Sequence, residues 1–218
     1  NLNLVRLIIY LNTELITTMN TILVTGSNGQ LGSEIRELSS QYKYNFFFTD
    51  RSNLDIANPK EVKNFIDSNN INTIINCAAY TAVDKAEEDQ VNADKINHLA
   101  VKYLAQIAKE KKIKLIHVST DYVFDGESFK PYNEDDTTSP NGVYGSTKLD
   151  GEKAMQEINP YNSIIIRTSW VYSSFGNNFV KTMLRLGEEK DELGVIFDQI
   201  GSPTYARDLA KGILDIIS

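Results

Sequence analysis

The feature that most constrains this chain is a glycine-rich segment near its start, TGSNGQLG, which joins a short apolar run to a helical pattern. Gly26 permits a tight turn out of a strand, Gly29 lets backbone approach a pyrophosphate, and Gly32 lets the next helix pack against a sheet. The first N–H groups of that helix, at Gln30 and Leu31, would face the phosphates. The spacing differs from G-x-G-x-x-G, yet it predicts a strand–turn–helix unit that binds a dinucleotide.

Short apolar runs alternate with helical patterns along the rest of the chain. Runs rich in Ile, Val and Phe are typical of strands buried on both faces, and their alternation with helices predicts an α/β, Rossmann-type, doubly wound parallel sheet. The predicted strands cover 21–25, 45–49, 72–76, 113–119 and 163–167. The predicted helices cover 30–39, about 91–111, 144–158 and about 206–217, and Pro59 opens a further one.

Three parts are predicted along the chain. Residues 1–18 form a leader or upstream extension, because Met19 leads directly into the first strand and the apolar stretch over 4–11 is too short to span a bilayer. Residues 19–171 form the NAD(P)-binding Rossmann domain. Residues 172–218 form the start of a smaller, C-terminally truncated substrate-binding portion, together with returning Rossmann elements.

The composition argues against several classes of protein. The net charge of the 218-residue chain is -7, which does not fit a nucleic-acid-binding protein with a basic surface. The single cysteine, Cys77, forms no internal disulfide or zinc cluster, and His98 and His117 are too far apart for a metal-ligand pair. We therefore expect a cytoplasmic protein with a small-molecule ligand, no membrane partner and no metal site, in which Cys77 and His117 occupy core positions.

An acidic residue follows the second strand at the distance where many dinucleotide-binding proteins hold the adenosine ribose. Asp50 lies about 20 residues after the glycine segment and would bind the ribose hydroxyls, whereas the adjacent Arg51 would accept a 2′-phosphate. The sequence therefore does not choose between NADPH and NADH as the cofactor. The alternative for Asp50 is an ordinary turn residue with no ligand. Further along, Asp55 and Ile56 could flank the adenine. The candidates that follow the third strand are Ala79, Tyr80 and Thr81.

The run YGSTK places Tyr144 and Lys148 four residues apart, on one face of a predicted helix. A nearby ammonium favours a phenolate, so we expect Lys148 to lower the pKa of Tyr144 and also to bind the nicotinamide ribose. Thr120 ends the fourth strand, where its hydroxyl could bind the carbonyl oxygen that Tyr144 protonates. With the glycine segment, these residues predict hydride transfer to a carbonyl. Taken singly, they would be ordinary helix-surface and strand-end residues.

The segment after Gly176 offers a candidate site for a diphosphate. Asn177 and Asn178 begin a predicted helix on which Lys181 and Arg185 lie four residues apart. Amide side chains, a helix N-terminus and two cations could together receive the phosphates of a nucleotide. An exposed cationic stripe is the alternative.

The chain contains, in order from Met19 to its end, the motifs VTGSNGQLG, NCAAYTAVDKAE, STDYVFDG, YGSTKLDGEKA, RTSWVY, GNNFVKTMLRL and DQIGSPT. In these motifs it resembles the extended short-chain dehydrogenases/reductases, and specifically the dTDP-4-dehydrorhamnose reductase family. The resemblance implies NADPH- or NADH-dependent reduction of the 4-keto group of dTDP-4-dehydro-β-L-rhamnose, with the proton from Tyr144, its partner Lys148 and the tuning hydroxyl of Thr120. It also implies that Asp121 and Trp170 contact the sugar. The implied cofactor contacts are Gly29, Gln30, Leu31, Asp50, Asp55, Ile56, Ala79, Tyr80 and Thr81.

Members of this family normally continue well beyond the position of Ser218. We therefore expect this chain to bind cofactor but to turn over weakly. In some members the further part carries an acidic residue for a magnesium-linked dimer contact, so Mg²⁺ and a homodimer stay open for the full-length protein.

Two other functions stay open on the same fold. One is a nucleotide-sugar epimerase or 4,6-dehydratase, although a dehydratase usually follows its strand-end Thr with Asp and Glu, and here Asp121 precedes Tyr122. The other is a non-catalytic NADP-binding subunit, since the regulatory subunit of methionine adenosyltransferase resembles the same reductases. Consumption of NAD(P)H would separate the reductase from both.

Overall fold

A five-stranded parallel sheet forms the centre of the protein, in the order β2-β1-β3-β4-β5. The computed structural model describes residues 19–196 and 198–217, so the predicted leader over 1–18 lies outside the described residues. The strands are β1 (Thr21–Thr25), β2 (Asn45–Phe48), β3 (Thr73–Asn76), β4 (Lys114–Thr120) and β5 (Ser163–Thr168). The doubly wound α/β prediction is confirmed, and each predicted strand is correct to within one residue at either end.

Helices connect the strands and continue beyond them. The predicted helix start at Pro59 is confirmed, since Pro59 is the first helical residue and Asn58 Oδ1 accepts a hydrogen bond from Glu61 N over 3.3 Å. The helices are α1 (Gln30–Leu38), α2 (Pro59–Asn69), α3 (Val83–Glu88), α4 (Gln90–Asp94), α5 (Ala100–Lys111), α6 (Val143–Ile158), α7 (Phe179–Glu189) and α8 (Ala206–Asp215).

The helices cover both faces of the sheet, because alternate side chains of each buried strand point to opposite sides. On one face, α1 and α8 pack together over Ile22 and Val24 of β1. On the other face, α2, α5 and α6 pack over Leu23 of β1 and Ile74 of β3. Within the described residues, no helix is both long and apolar enough to cross a membrane.

A π-helical turn over Lys95–Leu99 separates α4 from α5, where the sequence predicts one uninterrupted helix. Asn97 lies in this turn and is buried. Its side chain accepts a hydrogen bond from Tyr80 N over 2.8 Å and donates to Tyr80 O over 3.1 Å. Such a turn is often found at functional sites, and here it draws the loop after β3 toward the helices.

The sheet order reverses between β1 and β3, so the chain leaves these two neighbouring strands in opposite directions. A crevice opens at this point, beyond the carboxyl ends of the strands, where α/β proteins of this type bind their ligands. A small second sheet of β6 (Val171–Tyr172) and β7 (Thr204–Tyr205) follows β5 and lies beside the same crevice.

Candidate functional site

The glycine segment forms a tight cradle between β1 and α1. Gly26 has a φ of +64°, and a Cβ atom there would lie 2.7 Å from backbone atoms of Ala78. A Cβ atom on Gly32 would lie 2.5 Å from Ser27 Cα, so both positions require glycine. Gly29 precedes α1 and has no side chain to cap its first N–H groups. These N–H groups can therefore serve an anionic ligand.

Gln30 connects this cradle to the C-terminal part of the chain. Its Nε2 donates to Val171 O over 3.3 Å, and its Oε1 accepts a hydrogen bond from Asn178 Nδ2 over 2.9 Å. Asn178 also donates to Ser173 O over 2.8 Å. The sequence predicts Gln30 as a cofactor contact through its backbone, but it gives no sign of this second role for its side chain.

One end of the crevice holds an ionised carboxylate beside a cation. Asp50 accepts hydrogen bonds from the side chain of Asn28 and, over 2.5 Å and 2.7 Å, from Ser52 Oγ and Ser52 N. The hydrogen bond from the Ser52 hydroxyl is the main reason why the pKa of Asp50 is lowered. Arg51 lines the same crevice. Asp55 also lines it, but Asp55 Oδ1 accepts a hydrogen bond from Ala57 N over 3.0 Å.

Tyr144 and Thr120 meet at the opposite end of the crevice. Both side chains line the crevice, where Thr120 is close enough to affect the pKa of Tyr144, and the ring of Tyr144 packs edge-on against Tyr122 at 5.4 Å between centroids. Burial raises the pKa of Tyr144, and the hydrogen bond with Thr120 only partly offsets this effect. The prediction that Lys148 lowers the pKa of Tyr144 is therefore wrong for this structure, in which the phenol stays protonated.

Lys148 shares a helix face with Tyr144 as predicted, but its amine is turned toward the sheet. Nζ donates to Val118 O over 2.7 Å and lies 3.1 Å from His117 Nε2. The residue is 1% exposed, and burial lowers its pKa from 10.5 to about 8. The Nζ group is bonded to the sheet, and Lys148 is not among the groups that shift the pKa of Tyr144, which is the physical reason for the correction above. The prediction that His117 is a core residue is confirmed.

The two predicted sugar contacts, Asp121 and Trp170, both line the crevice. Asp121 Oδ1 accepts a hydrogen bond from Thr120 Oγ1 over 3.0 Å, and burial raises the pKa of its carboxyl group. Trp170 has a left-handed backbone with φ of +48° and is 41% exposed, so it is not a core residue. Its ring packs 6.0 Å from that of Phe179 and against Gly201. Strained backbone of this kind is common where a side chain is held for a ligand.

A cavity of about 710 Å³, within the size range of small-molecule sites, joins the glycine cradle, Asp50, and the side chains of Thr120 and Tyr144. Ser119 Oγ and Thr168 Oγ1 are buried at its wall and have no hydrogen-bond partner among the described residues. Gly32 is the one predicted site residue outside the lining, because it packs beneath the cradle. The predicted residues that line it are Gly26, Gly29, Gln30, Leu31, Asp50, Asp55, Ile56, Ala79, Tyr80, Thr81, Thr120, Asp121, Tyr144, Lys148 and Trp170.

The candidate diphosphate site after Gly176 is only partly formed. Asn177 lines the cavity, whereas Asn178 caps α7 by accepting a hydrogen bond from Lys181 N over 3.0 Å. Lys181 Nζ donates to backbone oxygens of the preceding loop. Arg185 pairs with Glu189 over 2.7 Å on the exposed face of α7. The exposed cationic stripe is therefore the alternative that this structure favours.

Comparison with known proteins identifies close relatives of the chain. Residues 19–218 match the family described as RmlD substrate binding domain. A dTDP-4-dehydrorhamnose reductase of Aggregatibacter actinomycetemcomitans is 46% identical over 199 residues, which cover 91% of this chain and 67% of that protein. The chain thus spans about two thirds of the length of such relatives.

Solved structures agree with this relationship. A dTDP-4-dehydrorhamnose reductase of Clostridium acetobutylicum is 46% identical, with a TM-score of 0.87 over 90% of this chain and 70% of that one. A dTDP-4-dehydrorhamnose reductase of Bacillus anthracis, solved in complex with NADP, is 40% identical, with a TM-score of 0.88 over 92% of this chain and 71% of that one.

Proposed function

Because the chain belongs to the RmlD substrate binding domain family, whose relatives above are dTDP-4-dehydrorhamnose reductases, we propose that it reduces the 4-keto group of dTDP-4-dehydro-β-L-rhamnose to give dTDP-β-L-rhamnose. The observation that carries the proposal is the single cavity that joins the glycine cradle to the hydroxyl groups of Tyr144 and Thr120. A cofactor at one end and a protonated phenol at the other are the two requirements of carbonyl reduction by hydride transfer.

The cradle fits a nicotinamide dinucleotide. Its backbone can approach a pyrophosphate because no Cβ atom could stand at Gly26, and the first N–H groups of α1 are left to the ligand. Asp50 would hold the adenosine ribose and Arg51 a 2′-phosphate, so we propose that both NADH and NADPH are accepted. The NADP in the Bacillus anthracis relative supports the second. When bound, the reduced nicotinamide supplies the hydride.

The residues of this chain supply the proton and hold the substrate. Tyr144 is the proton donor, and its raised pKa keeps the phenol protonated for transfer to the carbonyl oxygen. Thr120 holds the same oxygen through its hydroxyl group. Asp121 is placed to bind a sugar hydroxyl, and Trp170 offers an aromatic face to the apolar side of the sugar ring. Lys148 would bind the nicotinamide ribose after its amine turns from the sheet.

Substitution of the proposed donor tests this function. The full-length protein is given NADPH and a dTDP-4-keto-6-deoxysugar, and absorbance of the reduced nicotinamide is followed. Tyr144→Phe should lower the rate about 100-fold or more and leave cofactor affinity nearly unchanged. Tyr161→Phe is the matched control, since Tyr161 is fully exposed and does not line the cavity. An undiminished rate in Tyr144→Phe would reject the proposal, as would product formation without net loss of NADPH.

We also propose a cytoplasmic location, since the single cysteine requires no oxidising compartment. For the full-length protein, a homodimer and a magnesium-linked contact between its subunits stay predictions. The boundary between the Rossmann domain and the substrate-binding portion after residue 171 also stays a prediction. Among the described residues, no cluster of three or more His, Cys, Asp and Glu side chains could hold a metal ion.

A further inference from the structure

The proposed proton donor lies in the first turn of α6, where backbone N–H groups have no partners within the helix. α6 begins at Val143, so Tyr144 is its second residue. Because these N–H groups find no carbonyl oxygen in the helix itself, the ends of helices are the parts that open first. Gly142 precedes the helix and has no side chain to cap them. The backbone of Tyr144 therefore depends on support from elsewhere in the fold.

A glutamate of another helix supplies this cap. Glu87 lies in α3, 56 positions earlier in the sequence, and its Oε1 accepts a hydrogen bond from Val143 N over 2.8 Å. A carboxylate is a strong acceptor, and a negative charge at the N-terminus of a helix interacts favourably with the helix dipole. The fit is close, since a Cβ atom at Gly142 would lie 2.9 Å from Glu87 Oε1. The glycine thus leaves the carboxylate access to the end of α6.

Other contacts hold the same turn along its side. A Cβ atom at Gly145 would overlap Tyr122 O, so α6 lies directly against the backbone that follows β4. Thr147 Oγ1 donates to Tyr144 O over 3.0 Å and accepts a hydrogen bond from Asn97 Nδ2 over 3.3 Å. These contacts leave the N-terminal end of the turn to Glu87.

Glu87 acts on the site only through the backbone of α6. It is exposed, and it is not among the residues that line the cavity. The loop before α3 does line the cavity, through Ala79, Tyr80 and Thr81. α3 therefore connects the loop after β3 to the first turn of α6, and Glu87 makes the contact between them.

We propose that Glu87 is a positioning residue, which holds the first turn of α6 so that Tyr144 keeps its place beside Thr120 in the crevice. The inference rests on the proposed function for the role of Tyr144 as proton donor. Without the carboxylate, Val143 N would lose its acceptor and the turn would open more often. The phenol would then be in place for a smaller fraction of the time, so kcat should fall. Cofactor affinity should not change, because Glu87 does not touch the glycine cradle.

Hydrogen exchange of one amide tests the cap without any need for activity. The unliganded chain is labelled with ¹⁵N, and exchange of the Val143 N–H group is compared between wild type and variants. Glu87→Ala removes the acceptor and should speed this exchange about fivefold. Glu88→Ala removes the neighbouring exposed carboxylate of α3 and should leave it unchanged. An unchanged exchange rate in Glu87→Ala would overturn the inference.

Two conservative variants separate the reach of the Glu87 side chain from its charge. Glu87→Gln keeps an oxygen acceptor at the same reach and should retain most of the slow exchange of Val143. Glu87→Asp keeps the charge but is one methylene shorter, so exchange should be as fast as in Glu87→Ala. The reverse order would overturn the inference, since the charge rather than the hydrogen bond would then support the turn. If Glu87→Ala does not fold, Glu87→Asp provides the same comparison.

Kinetics of the full-length protein connect the cap to Tyr144. Glu87→Ala should lower kcat about fivefold and leave the Kd of NADPH unchanged, whereas Glu87→Gln should restore most of the rate. A kcat of Glu87→Ala equal to that of wild type would overturn the positioning role, as would a loss of rate that appears only as weaker NADPH binding. Failure of the reductase proposal would appear instead in the rate of Tyr144→Phe, and it would not alter the exchange of Val143.

Discussion

A methyl group at Gly32 should destabilise the protein even without a ligand. The Cβ atom of Gly32→Ala would lie 2.5 Å from Ser27 Cα and 2.7 Å from Gly26 O, and both neighbours are backbone atoms that cannot rotate away. Such overpacking costs about 1–3 kcal/mol. Alanine gains up to about 1 kcal/mol over glycine inside a helix, and Gly32 lies within α1. Because the contacts are with fixed backbone, the cost should lie in the upper part of this range, about 2–3 kcal/mol, which leaves a net loss of about 1–2 kcal/mol.

Gly29→Ala provides the matched comparison. Its Cβ atom would lie 3.2 Å from Gly26 O, a contact that a small shift can relieve. Each kcal/mol corresponds to about 2–4 °C for a domain of this size, so Gly32→Ala should melt about 2–8 °C below wild type and Gly29→Ala close to it. Gly29 and Gly32 both belong to the glycine segment that would hold the pyrophosphate. Both variants should therefore bind NADPH more weakly in a fluorescence titration. A Gly32→Ala variant that melts at or above the wild-type temperature would refute this reasoning.

Three further substitutions give distinct outcomes. Lys148→Met should abolish most activity and remove a pH dependence of stability. The folded pKa of Lys148 is about 8, below 10.5, so wild type should lose roughly 3 kcal/mol of stability as pH falls through this interval, and the variant should not. In wild type, Arg167 Nη2 lies 2.7 Å from Glu152 Oε2. Arg167→Met leaves the buried Glu152 carboxylate without this partner and should lower the free energy of unfolding in urea by about 3–5 kcal/mol. In Gly201→Ala, the Cβ atom would lie 2.6 Å from Trp170 Nε1, so the indole must move and its fluorescence should shift.

Two of these substitutions have a matched control. Restoration of most of the lost stability by Glu152→Gln on the Arg167→Met background would confirm that the cost comes from the unpaired charge. Gly194→Ala meets no atom within 4 Å and should leave the single tryptophan signal unchanged. A Lys148→Met variant whose melting temperature changes between pH 8 and 10.5 as that of wild type does, or a Gly201→Ala spectrum identical to wild type, would contradict the respective prediction.

Much of the fold follows from local pattern. Continuous Ile, Val and Phe runs predicted the parallel strands to within one residue, because a strand covered on both faces is apolar along its length and ends where polar residues begin. The π turn at Asn97 escaped prediction because its cause is a tertiary hydrogen bond to Tyr80, 17 positions away. Helical periodicity carries no information about such a partner.

The site residues followed from spacing, but their charge states did not. Tyr144, Lys148 and Thr120 do converge on one cavity, as the helix period and the strand end indicated. The direction of the Lys148 amine is set by His117 and by a carbonyl oxygen of β4, which lie about 30 positions earlier in the sequence. The expected effect on Tyr144 was wrong for this reason, since spacing places two side chains on one face without fixing where a flexible amine points.

The packing of α8 on α1 has a consequence for synthesis on the ribosome. The two helices bury each other's apolar faces, and Arg207 of α8 pairs with Glu34 of α1 across 173 positions of sequence. At a translation rate of about 5–20 residues per second, α8 is synthesised roughly 10–35 s after α1. During that interval the apolar face of α1 is not covered by α8. We therefore expect chaperones to bind this chain until α8 has been synthesised.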